Sequence, residues 1–99
     1  MAYELFILPP EGAPPALTTQ AVVAAFEGAG MPCCEEPYQF GHWLVLAGFE
    51  SSLNLTVVGG IVTYAGFRFA AEDDEAVVQK VADVFKGLGW LVSDDEGLL

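Results

Sequence analysis

The chain has 99 residues, 54% of them apolar or aromatic, with fourteen acidic side chains against three basic ones and a formal charge of −11. That length makes one domain, 1–99, able to bury roughly two thirds of its unfolded surface around a single core. The charge argues against nucleic-acid phosphate and anionic membranes as partners, while it favours solubility and the attraction of a basic protein.

Tyr3 to Leu8 is a short apolar run closed by Pro9 and Pro10, which cannot donate to a sheet ladder and so must end the strand. The run lacks basic residues and stops early, so no signal peptide is expected, and no apolar stretch reaches membrane-spanning length. A Pro/Gly loop follows. Thr18 or Thr19 then caps a predicted helix over 18–28, with Val22 and Phe26 on one face. Gly28, Gly30 and Pro32 stop it. Residues 31–37, Met-Pro-Cys-Cys-Glu-Glu-Pro, read as the least regular part of the chain, and 38–40 as the start of a strand that Gly41 bends.

From Trp43 to Phe69 the sequence writes an antiparallel meander: three runs rich in β-branched and aromatic residues, separated by Glu50-Ser51-Ser52 and by Gly59-Gly60. The first strand is expected over 43–49. The Gly-Gly hairpin can be closed in two ways. A plain two-residue turn pairs Val58 with Ile61 and carries Leu53 and Leu55 onto the face of Tyr64, Gly66 and Arg68. A three-residue loop through Val58 puts them with Ala65, Phe67 and Phe69, the drier pairing, and is therefore the predicted one.

Val77, Val81, Val84, Phe85 and Leu88 form one helical stripe, predicting a second helix over 73–86 with Asp73, Asp74 and Glu75 at its dipole-favoured start and Gly87 and Gly89 past its end. Trp90 to Ser93 reads as a last short strand and 94–99 as a loose acidic tail. The order β-α-β-β-β-α-β predicts an α+β two-layer sandwich: both helices on one face of a mostly antiparallel sheet of four or five strands, a ferredoxin-like variant.

Chemistry-bearing residues are few. Cys33, Cys34, Glu35, Glu36 and His42 are all zinc-donor types, but adjacent cysteines on extended chain point to opposite sides, so no metal site is expected. Two neighbouring cysteines do not make a disulfide framework either, which places the chain in a reducing, cytoplasmic setting. His42 lacks a visible orienting group and target, no hydroxyl sits in a nucleophile context, and Gly59-Gly60 lacks the helix and lysine of a phosphate loop. No catalytic set and no cofactor are therefore expected. His42, Trp43, Tyr64, Arg68 and Trp90 remain as candidates for contact with a ligand or partner; their plainer account is core packing and ordinary hydrogen bonding.

The sequence is read as a non-catalytic protein-interaction module of inhibitor or immunity type, with a basic protein favoured as partner and homodimer formation expected from aromatic-rich sheet surface. The competing readings are a small-ligand binder, which needs an apolar pocket lined by Trp43, Tyr64 or Trp90, and a small enzyme using His42 with nearby carboxylates.

Overall fold

A computed structural model of the protein describes residues 3–10, 17–38, 41–94 and 97–98, with only the backbone described at 3, 36–38, 41 and 98. Strand β1 (Tyr3–Leu8) is followed by helix α1 (Thr19–Gly28) and then by four consecutive strands: β2 (Cys33–Tyr38), β3 (Gly41–Leu46), β4 (Ser52–Val58) and β5 (Ile61–Phe69). Helix α2 (Ala76–Gly87), strand β6 (Leu91–Asp94) and the two-residue β7 (Gly97–Leu98) complete the chain. The strands form one sheet in the order β2-β3-β4-β5-β1-β6-β7, every pairing antiparallel. The α+β class is as expected, but the sheet is larger than four or five strands.

The extra strands are β2, where irregular chain was expected, and the two-residue β7. Glu35, Glu36 and Pro37 have weak strand preference, yet β2 is an edge, and a proline and charges on an edge strand block pairing with a further chain. β3 ends at Leu46 instead of 49, because Gly48 takes a φ of 83° and turns the chain. The tail expected to be loose folds back in part, pairing Ser93 with Leu98 and Asp94 with Gly97.

Alternation decides what each face of the sheet carries. Leu5 and Ile7, Leu44 and Leu46, Leu53 and Leu55, Ala65 and Phe67, and Val92 share one face by register, and all are buried. Val22 and Phe26 of α1 and Val77, Val81 and Phe85 of α2 join the same core, so both helices cover that face. They meet edge-on at Phe26 and Phe85, ring centroids 5.8 Å apart. The other face has no covering layer among the described residues.

The Gly59-Gly60 hairpin corrects one expectation and keeps its consequence. Val58 does pair with Ile61, across a two-residue turn in which both glycines have positive φ, so no three-residue loop forms. Leu53 and Leu55 nevertheless lie opposite Phe67 and Ala65, because the register shifts between Thr56 and Val57. Val57 pairs with Val62 and Thr56 with Tyr64, which leaves Thr63 as the extra residue of a bulge. Hydrophobic burial chose the face, and the bulge rather than the turn absorbed the odd residue.

Both helices stop in the same way. Gly30 and Gly89 adopt left-handed φ of 79° and 84°, and the next amide reaches back to the last turn: Met31 N–H donates to Phe26 O and Trp90 N–H to Phe85 O, at 2.9 and 3.0 Å. The apolar residue after each glycine thereby turns into the core. At its start, α1 has the expected cap, Thr18 Oγ1 accepting from Ala21 N–H at 3.1 Å. α2 begins at Ala76, not 73, because Asp73 is used elsewhere.

Candidate functional site

The open face of the sheet holds most of the residues expected to make contact. One row across the strands reads Trp43, Asn54, Gly66, Phe6 and Ser93. The row beside it reads Val45, Ser52, Arg68 and Glu4. Phe6, Trp43 and Tyr64 are each half-buried and surround a concavity of about 180 Å³ whose floor is Gly66 and Asn54. A Cβ built on Gly66 would sit 3.7 Å from the Tyr64 ring and 3.8 Å from its hydroxyl, so the ring leans over the glycine at ordinary contact distance. Leu8 and Leu91, paired across β1 and β6, are 46% and 42% exposed on the same face. Val58 and Ile61 extend the apolar surface at the hairpin. Arg68 stands directly opposite Glu4, so among the described side chains this face carries balanced charge.

The remaining two candidates lie elsewhere. Trp90 is buried against Phe85, ring centroids 6.2 Å apart, because it follows the glycine that stops α2; its indole N–H has no acceptor among the described residues. His42 shares the helix-side row of Leu55, but at the end of β3 its side chain remains 41% exposed. Its Nδ1 lies 2.6 Å from Glu35 Oε1 across the β2–β3 hairpin. Trp43, Tyr64 and Arg68 are thus brought together, His42 is on the opposite side of the sheet, and Trp90 belongs to the core. Of the carboxylates suspected near His42, Glu35 is in reach; the Glu36 side chain lies outside the described residues.

A second feature was not legible in the sequence. Asp73, read as part of a helix start, ties two loops together. Its carboxylate accepts from Glu50 N–H at 2.9 Å, from Ser51 N–H at 2.7 Å and from the Ser51 hydroxyl. Ser51 Oγ accepts in turn from Ala70 N–H at 2.8 Å, and Ser51 is the buried polar residue of the described chain. Burial acts to raise the Asp73 pKa, but the hydrogen bonds from Glu50 and Ser51 outweigh it and hold the carboxyl below the usual range. The latch brings exposed Glu50 to the same end of the molecule as exposed Glu72, Asp74 and Glu75.

Cys33 is buried and Cys34 exposed, both as free thiols. Burial, then the charges of Glu27 and Cys34, push the Cys33 thiol up, which keeps it protonated and a poor nucleophile. No group of three or more His, Cys, Asp or Glu among the described residues could hold a metal ion. Among the described residues no helix is long and apolar enough to cross a membrane. Compared with protein-family models, with curated proteins and with solved structures, the chain matches none.

Proposed function

We propose that this chain is a non-catalytic protein-interaction module, of inhibitor or immunity type, that acts by binding a basic protein. The observation that carries the reading is the separation of charge. The chain bears −11 overall, the loop acids Glu50, Glu72, Asp74 and Glu75 stand exposed at one end, and Asp73 with Ser51 holds those loops together. A field of this kind raises the encounter rate with a basic surface, and the gain falls as salt screens it. Free Cys33 and Cys34 support a reducing, cytoplasmic setting.

The test begins with proteins retained from native lysate at low salt and identified by mass spectrometry. Each is then purified and its association measured against salt concentration. A specific partner whose on-rate falls steeply with salt, and falls again when Glu50, Glu72, Asp74 and Glu75 are changed to Gln or Asn, is the expected result. An on-rate indifferent to both removes the electrostatic mechanism.

One observation favours a catalytic reading instead: the 2.6 Å contact between His42 and Glu35, a carboxylate placed to orient an imidazole base. A turnover activity abolished by His42→Ala in a folded protein would replace the binding reading with that one.

We also read the topology as a ferredoxin-like variant. Crossover helix α2 carries the chain from β5 to β6 over the intervening β1, and a four-strand meander takes the place of a two-strand one.

A further inference from the structure

The open face of the sheet is complementary to itself, and we infer that a second copy of this chain occupies it. The two central strands of the face are β5 and β1, with β4, β3 and β2 on one side and β6 and β7 on the other. Their open-face residues pair in register as opposites. Glu4 is level with Arg68, Phe6 with Gly66, and Leu8, one step past the Ile7–Ala65 pair, with Tyr64. A two-fold axis lying between two stacked sheets, parallel to the strands and midway between β1 and β5, sets β1 of each copy over β5 of the other. Under that operation Glu4 meets Arg68 of the second copy, Phe6 enters the concavity over Gly66, and Leu8 covers the Tyr64 ring. One strand further out, Ser93 of β6 comes over Asn54 of β4, a polar residue on a polar residue. Charge meets opposite charge, a large side chain meets a glycine, and both halves of the contact are made twice, as a two-fold interface requires.

Size and charge permit this packing. Stacked sheets lie about 10 Å apart and cross at about −30°. Residues near the axis stay in register under that rotation, and the long Glu4 and Arg68 side chains span the offset further out. Under this axis the strands that overlap are β4, β5, β1 and β6, which at about 4.8 Å spacing and about six residues of 3.4 Å give a contact of roughly 400 Å² in projection. With side-chain relief this reaches roughly 600 Å² per partner, the low end of specific interfaces and the size of a weak, reversible dimer. The net charge of −11 opposes self-association, but the described acids other than Glu4 lie off this face. Dimer formation therefore strengthens as salt rises, the reverse of the salt dependence of a basic partner, so the two proposals fail separately.

Sedimentation velocity on the full chain, from about 1 to 100 μM at low and moderate salt, reads the assembly. The expected result is a dimer whose affinity increases with salt. Gly66→Leu fills the concavity and is expected to weaken the dimer about tenfold or more while the monomer stays folded, since a side chain there starts at ordinary contact distance from Tyr64. The exposed charges supply a second probe. Glu4→Arg and Arg68→Glu each place like charges face to face in a homodimer and are expected to be monomeric alone. Mixed together they place Arg on Glu at both contacts and are expected to form a heterodimer, which a purely intrachain effect cannot produce. A strict monomer at 100 μM in moderate salt overturns the proposal and leaves the face to a foreign protein. A dimer indifferent to Gly66→Leu, or a mixture that stays monomeric, overturns the β1-over-β5 packing.

Discussion

Asp73 shows how far a single carboxylate can depart from its local context. Beside Asp74 and Glu75 it looks like one more charge at a helix start, yet it accepts from the backbone of Glu50 and Ser51, more than twenty residues away. Asp74 does the local work instead, accepting from Ala76 N–H at 2.9 Å. Hydrogen bonds to a charged group contribute about 1.5–3 kcal/mol each in favourable cases, so Asp73→Ala is expected to destabilise the fold by about 2–3 kcal/mol at pH 7. The sign of its pH dependence follows from the lowered pKa. A carboxyl depressed in the folded state contributes fully above its unfolded value, near 4, and loses that contribution as pH falls through the lower folded value. Urea melts of the two proteins should therefore converge in acid. A difference that stays constant down to pH 2 would show that the carboxylate's charge is not what matters.

At the level of elements, the β4–β5 hairpin holds the sharpest lesson. Thr63 is exposed, and its hydroxyl reaches Thr56 O at 3.3 Å. Without it Val62 would be followed directly by Tyr64, and every pair from Val58–Ile61 to Ser52–Arg68 would be kept in unbroken alternation. Deletion of Thr63 is thus expected to leave a cooperative melt within about 1–2 kcal/mol of the parent, the loss reflecting changed strand twist. Deletion of Ala65 moves Phe67 and Phe69 to the open face and is expected to abolish folding. If both deletions are equally harmful, the bulge is itself a structural requirement. The helix ends belong to the same scale. A glycine with positive φ followed by a buried apolar residue explains why Met31 and Trp90 point inward, although neither belongs to a periodic stripe.

For the whole molecule, charge is the dominant long-range term. A body of 36 × 29 × 26 Å carrying −11 lies within about one Debye length of itself at 10 mM salt and within several at 0.5 M. Self-repulsion of the folded state should then be partly relieved by salt. For a domain of this length, about 1 kcal/mol of relief corresponds to a rise in Tm of about 4–8 °C. The Gly66→Leu protein is the proper sample, because dimer formation would raise the parent's Tm by mass action as well. A Tm that does not move with salt in that variant would mean the acids are spaced widely enough not to repel.

The sequence by itself determined the elements whose signal is local and periodic. The Val77–Leu88 stripe, the Thr18 cap, the Val22 and Phe26 pair and the position of the hairpin at Gly59-Gly60 each need only residues close in the chain and are found there, although the hairpin closes by a two-residue turn and not by the expected three-residue loop. The α+β class followed from their order. Tertiary structure alone decided the rest. β2 exists because β3 offers a ladder to residues with little strand preference of their own. The bulge at Thr63 exists because Leu53 and Leu55 must face the helices. Of the five suspected contact residues, Trp43, Tyr64 and Arg68 share a surface only because strand register aligns β3, β4 and β5, whereas Trp90 was withdrawn into the core by a helix stop. The central place of Phe6 and Gly66 on that surface was invisible beforehand, since nothing in the chain announces that positions sixty residues apart will lie side by side; long-range pairing is chosen by the burial of the whole opposite face, not by the residues it happens to expose.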